Sequence, residues 1–154
     1  MPPDAPPAAR STVFIVDDHP IVRQGLTLLI NREPDLAVCG DAEEAGSALR
    51  RIEELKPDLI VVDISLNGPD GLDLLKNLRA RDPNLPVLIL SMLDEMLYAE
   101  RALRAGANGY IMKQEATEKV LVAVRRTGGG YAPRGRRPRR PLRALVVAPR
   151  ASRT

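Results

Sequence analysis

The sequence predicts an α/β domain: a five-stranded parallel sheet covered by helices on both faces. Three observations carry this expectation. Across residues 12–127, short apolar runs alternate with stretches of helical periodicity, the pattern of repeated strand–helix units. The runs are apolar nearly throughout, as strands buried on both faces are. Four of them also end in chemically useful polar residues. Thr12-Val13-Phe14-Ile15-Val16 leads into Asp17-Asp18, Leu59-Ile60-Val61-Val62 into Asp63, Val87-Leu88-Ile89-Leu90 into Ser91, and Gly109-Tyr110-Ile111-Met112 into Lys113. In an open parallel sheet these ends share one edge, where ligand sites lie.

The elements follow in order. Residues 1–11, rich in Pro and Ala, are expected to be disordered. After the first apolar run, Pro20 suits the first turn of a helix, where its missing donor is harmless. Ile21, Val22, Leu26, Leu29 and Ile30 follow on that helix. The run Leu36-Ala37-Val38-Cys39-Gly40 gives a second strand. Ala45, Ala48, Leu49, Ile52 and Leu55 recur at three- and four-residue spacing, and Lys56-Pro57 ends that helix. A third helix carries Leu72, Leu75 and Leu78 and stops at Asp82-Pro83. A fourth carries Met96, Ala99, Ala102 and Leu103, with Gly106 as its C-terminal stop. Ala116, Val120, Leu121 and Val124 mark a fifth helix before Gly128-Gly129-Gly130. Right-handed crossovers leave few ways to connect such a set.

Composition narrows the function. The chain has 154 residues, 44% of them hydrophobic and only 3% aromatic, so the core must be aliphatic. No apolar stretch approaches the ~20 residues that cross a bilayer, and the N-terminus lacks the pattern of a signal peptide; a cytoplasmic protein is expected. Cys39 is the only cysteine, which excludes an internal disulfide and reads as a small core residue. His19 is the only histidine. It cannot build a multi-histidine metal site, no nucleophile-elbow serine accompanies it, and it reads as a loop residue beside the acidic site rather than a ligand. The net charge of +3 conceals a segregation: residues 1–124 carry 13 basic against 20 acidic side chains, or −7, whereas residues 125–154 carry ten arginines and no acid, or +10. The prolines and like charges of residues 134–141 exclude a helix there, so residues 128–154 are expected to form a disordered Gly/Arg/Pro-rich tail.

The acidic edge points to phosphoryl chemistry. Packed carboxylates repel, so one takes up a proton or a cation binds among them. Mg2+ suits such a set, because it favours a few carboxylate oxygens and completes its shell with water and phosphate oxygens. An aspartate can act as nucleophile and form an aspartyl-phosphate. Lys113 can hold phosphoryl oxygens as a point charge, and the Ser91 hydroxyl can bond an arriving oxygen.

With these residues in view, residues 12–127 resemble the receiver domain of bacterial two-component response regulators, in particular the NarL/LuxR branch. The resemblance rests on residues 13–26 (VFIVDDHPIVRQGL), Asp63-Ile64-Ser65-Leu66, Asp70-Gly71-Leu72 and Ala105-Gly106-Ala107-Asn108-Gly109-Tyr110. It implies a doubly wound, flavodoxin-like sheet of order 2-1-3-4-5. It also implies that Asp63 is the phosphoacceptor, that Asp18 binds Mg2+ directly with Asp17 supporting it, and that the Ser65 backbone carbonyl is a further ligand. Lys113 would pair with the phosphoryl group, and Ser91 and Tyr110 would form the switch pair. The donor would be a sensor histidine kinase. The output would be a changed interaction surface, including a possible homodimer, and the protein would not be an enzyme beyond slow self-dephosphorylation.

The sequence departs from the branch at Gln114, where many receivers have proline, and at Asn67-Gly68-Pro69 after the acceptor. It also has only 24 residues after Gly130, without the periodicity of two helices. The helix-turn-helix module is therefore expected to be missing and specific DNA binding is not expected. Alternatives are a stand-alone receiver acting as a phosphate sink, and nonspecific electrostatic nucleic-acid binding by the tail, which has Tyr131 as its single aromatic. A phosphatase of the haloacid-dehalogenase type is disfavoured, because Pro20 or His19 stands where that family has its second aspartate. Dinucleotide binding lacks a Gly-rich loop after the first strand.

Overall fold

Every apolar run forms a strand, and every periodic stretch forms a helix. The structure, a computed structural model, describes residues 10–64, 70–92, 96–127 and 145–146. In chain order these are β1 (Ser11–Val16), α1 (Pro20–Asn31), β2 (Leu36–Ala42), α2 (Ala45–Leu55), β3 (Leu59–Asp63), α3 (Asp70–Arg81), β4 (Val87–Ser91), α4 (Met96–Arg104), β5 (Gly109–Met112), a 3-10 turn (Lys113–Glu115), α5 (Ala116–Thr127) and β6 (Leu145–Val146). All pairings are parallel, in the order β2-β1-β3-β4-β5-β6. The expected 2-1-3-4-5 order is present. One correction concerns the tail: Leu145–Val146 adds a sixth, two-residue strand to β5, pairing Gly109 with Leu145 and Tyr110 with Val146. Without it β5 would be an edge strand with unpaired backbone groups, and an apolar dipeptide can satisfy part of that edge. The other tail residues and residues 1–9 lie outside the described residues.

Strand alternation divides the core into two layers. Phe14, Val16, Ile60, Val62, Val87, Ile89 and Tyr110 pack with α2, α3 and α4 through Ala48, Ile52, Leu74, Leu75, Leu78, Ala99 and Ala102. Val13, Ile15, Leu59, Val61, Leu88, Leu90 and Ile111 pack with α1 and α5 through Leu26, Ile30, Val120, Ala123 and Val124. Cys39 is half-buried against the first layer, at the point where the β1–β2 register shifts. Among the described residues, no helix is long and apolar enough to cross a membrane.

Local signals end the helices as the sequence predicts. Pro20 opens α1 with His19 as its N-cap in an extended conformation (φ −96°, ψ 108°), the region that a residue before proline favours. Lys56 closes α2 in the left-handed region at φ 49°, its N–H donating to the Ile52 carbonyl. Gly106, at φ +111°, ends the turn after α4; a methyl group there would also lie 2.8 Å from Arg79 Nε.

Arg79 ties the helical layer to that turn. Its guanidinium donates to the carbonyls of Gly106 (2.8 Å), Leu85 (2.5 Å) and Asp82 (3.2 Å), and to Asn108 Oδ1 (2.7 Å). Asn108 Oδ1 in turn accepts the Val87 N–H at 2.9 Å. One cation thus fixes where β4 and β5 begin. Arg79→Met, which keeps the stem but strands these acceptors, is expected to cost roughly 2–3 kcal/mol of stability, measured by chemical denaturation; a change within ~0.5 kcal/mol would show the network to be dispensable.

Candidate functional site: an acidic cluster at the carboxyl edge of the sheet

The alternation that builds the core also sorts the site residues. Asp17 continues the row of Val13 and Ile15, Asp63 that of Leu59 and Val61, and Lys113 that of Ile111. All three therefore emerge on the α1/α5 side of the sheet end. Ser91 continues the row of Val87 and Ile89, on the opposite side with Tyr110.

The first group meets. Lys113 Nζ lies 2.8 Å from Asp63 Oδ2 and 3.1–3.2 Å from the two Asp17 oxygens. His19 Nδ1 is 3.0 Å from Asp17 Oδ1 and 3.0 Å from Asp18 Oδ1. Ligand atoms of Asp17, Asp18, His19 and Asp63 all fall within 4.8 Å of one another. Asp17 and Asp63 have no exposed side-chain surface, whereas Asp18 keeps 33% and His19 60%, so the solvent side of the cluster is the Asp18–His19 side. Backbone contacts hold the arrangement: Asp17 Oδ1 accepts the His19 N–H at 2.8 Å, and Arg23 Nη1 donates to the Asp17 carbonyl at 2.6 Å.

Ser91 stands apart. Its Oγ donates to the Met92 carbonyl at 3.0 Å, and among the described contacts it makes none with the acid cluster. Tyr110 is buried against the α4 layer, and that burial, together with the Glu100 charge, raises its phenol above the ordinary range. The expected Ser65 carbonyl ligand lies outside the described residues.

Two residues gain a place that their sequence context did not assign. His19, read as a loop residue beside the acidic site rather than a ligand, has its ring within the cluster. Gly71, at the start of α3, has no room for a side chain: a Cβ there would lie 2.7 Å from the Asp63 carbonyl oxygen and 2.6 Å from that of Ile64. A lone glycine inside a helical stretch is the signal of such close approach.

The electrostatics call for a cation. Among the described residues, three carboxylates against one ammonium leave a local charge of −2. Two buried oxygens, Asp17 Oδ2 and Asp18 Oδ1, accept no hydrogen bond; Lys113 Nζ at 3.1 Å and His19 Nδ1 at 3.0 Å are ion contacts only. Burial raises the Asp17 carboxyl above its ordinary range, and Asp63 adds to this, against the His19 N–H and Lys113. Burial pulls the Lys113 ammonium down, but its hydrogen bond to Asp63 and the charges of Asp63 and Asp17 more than offset that and leave it raised. A divalent ion fits this donor set.

Residues 13–125 match the response regulator receiver domain. The chain belongs to that family. The DNA-binding transcriptional activator EvgA of Escherichia coli K12 is 32% identical to this receiver over 118 residues, covering 77% of this chain and 57% of its own. The nitrate/nitrite response regulator protein NarL of the same organism is 32% identical over 120 residues, covering 78% and 56%. The solved structure of a LuxR-family two-component response regulator from Aurantimonas sp. superposes with a TM-score of 0.72 at 36% identity, covering 80% of this chain and 89% of that one. The relatives are NarL/LuxR-family regulators. This chain spans little more than half the length of the curated relatives it matches.

Because the folded receiver raises the Asp17 carboxyl, its ionised form is less favoured in the folded state than in the unfolded chain. Holding Asp17 ionised opposes folding at neutral pH, and that cost disappears as pH falls through the folded-state value toward the unfolded one. Asp17→Asn is therefore expected to raise the metal-free unfolding midpoint at pH 7 by more than the ~0.5 kcal/mol scatter of surface changes, and to flatten the acid-side rise. A less stable variant, measured by denaturation across pH, would contradict this.

Proposed function

We propose that this receiver accepts a phosphoryl group on Asp63 from a sensor histidine kinase, with Mg2+, in the cytoplasm, and that the resulting charge resets an interaction surface. The observation that carries the reading is the contact of Asp63 with Lys113, beside two buried carboxylate oxygens that lack a hydrogen bond.

An Asp63 oxygen attacks phosphorus, the bond from phosphorus to the donor imidazole breaks, and an acyl phosphate remains on Asp63. Asp17 and Asp18 would hold the ion, with Asp63 and the Ser65 carbonyl completing the protein's share. Bound there, Mg2+ supplies positive charge against both the carboxylates and the phosphoryl oxygens. Asp63 has no exposed side-chain surface in this state, so the donor reaches it only after the Lys113 ammonium turns away from Oδ2. That same ammonium then pairs with the phosphoryl oxygens.

Ser91 is the responding hydroxyl. It lies across the sheet end from the acid cluster, so bonding the phosphoryl group requires it to leave the Met92 carbonyl. That movement shifts the start of the β4–α4 connection, next to Tyr110 and the α4 layer. The exposed apolar side chains of Leu97 and Tyr98 on α4 and Val122 on α5 suit a surface read by a partner or by a second copy. The chain then acts as the receiving half of a transcription regulator, as the names of its relatives imply.

The test is labelling by a small phosphodonor with Mg2+. Wild-type protein should take up one acid-stable, base-labile phosphate, and Asp63→Asn should take up none. Persisting label on the folded variant would move the acceptor elsewhere.

A further inference from the structure

His19 is the one member of the cluster that the phosphoryl-acceptor reading leaves without a task. Its ring position is not accidental. Pro20 confines His19 to extended backbone, and the His19 N–H is tied to Asp17 Oδ1 at 2.8 Å. These place the His19 backbone beside the cluster, and its Nδ1 lies 3.0 Å from Asp17 Oδ1 and 3.0 Å from Asp18 Oδ1.

No assignment of the ring proton satisfies that position. If Nδ1 carries the proton, it faces the Lys113 ammonium at 2.7 Å with no lone pair to offer it. If Nδ1 carries the lone pair, it confronts two carboxylate oxygens, one of which, Asp18 Oδ1, accepts no hydrogen bond. An ion placed among these atoms removes the conflict, because nitrogen and both oxygens then donate to it. The spacing fits: adjacent ligand atoms about 2.1 Å from one metal stand about 3.0 Å apart when they subtend a right angle.

We propose that His19 Nδ1 is a metal ligand of this receiver, and that it shifts the site's preference from Mg2+ toward borderline divalent transition ions. The inference rests on the acidic cluster being a cation site. Imidazole nitrogen suits cobalt, nickel and zinc far better than it suits magnesium, which takes oxygen ligands. Three carboxylates with one nitrogen form a donor set that such ions accept. Loading the site requires Lys113 to give up its 2.7 Å contact with Nδ1, whereas its contact with Asp63, 2.8 Å in this structure, need not break. The half-open position of His19, 60% exposed, lets the ring adjust without disturbing the core.

The chain has a single histidine, so any metal-bound imidazole in tag-free protein is His19. The experiment titrates tag-free full chain with MgCl2 and with CoCl2, and records proton NMR of the Co2+ form. Expected are tighter binding of Co2+ than of Mg2+, hyperfine-shifted imidazole resonances, and in His19→Asn a loss of Co2+ affinity on the order of tenfold or more with those resonances gone. If Co2+ binds, Asp17→Asn weakens it, and yet no shifted imidazole signals are seen, His19 is not a ligand while the cation site stands. If neither ion binds wild-type protein, the cation reading itself fails and this inference with it.

Discussion

The receiver is organised around an unbalanced charge held at the end of a parallel sheet. β1 and β3 bring Asp17 and Asp63 to the same side of that end, and Lys113 arrives there from the far side of β4. Two unit charges 4 Å apart interact by about 4 kcal/mol at an effective dielectric of 20, so neither the repulsion between the aspartates nor the attraction of Lys113 is small beside a domain's net stability. Lys113 offsets one negative charge and leaves two. The aliphatic layers beneath hold the carboxylates in place, since neighbouring strands are rigidly paired through β1–β3 and β3–β4. The fold thereby holds together carboxylates that a cation could neutralise.

The two faces of the sheet divide the labour. On the α1/α5 side lie the groups that hold charge: Asp17, Asp63 and Lys113. On the α4 side lie Ser91 and Tyr110, together with the Arg79 network that fixes the turn entering β5. Under the proposed function a signal would have to cross the sheet end from one to the other, with Ser91 as the proposed residue at the crossing. Tyr110 is buried and the Ser91 hydroxyl is bonded to the Met92 carbonyl in this state.

Much of this was readable from the chain. The runs before Asp17, Asp63, Ser91 and Lys113 gave the strands and their common edge; Pro20, Lys56-Pro57 and Gly106 marked helix ends because each restricts or frees backbone in a way that periodicity alone does not. What strand ends could not convey was side. Five polar groups at one edge appeared to converge, but alternation within β4 sends Ser91 to the other face from Asp63, a distinction that counting from Leu88 and Val87 would have exposed. His19 was set aside because one histidine makes no cluster of its own; its place depends on the extended turn before Pro20 and on carboxylates contributed by a different strand. The β6 pairing depends on a contact between β5 and residues 36 positions further along the chain, beyond the reach of local pattern.

The proposed function requires the carboxylates of Asp17, Asp18 and Asp63 to form a cation site whose charge the fold leaves unsatisfied. Thermal unfolding of the metal-free chain titrated with MgCl2 tests it most directly. The midpoint is expected to climb with Mg2+ concentration as ligand linkage requires, and not to climb with an equal ionic strength of NaCl. Coincident midpoints in the two salts at every concentration would contradict it.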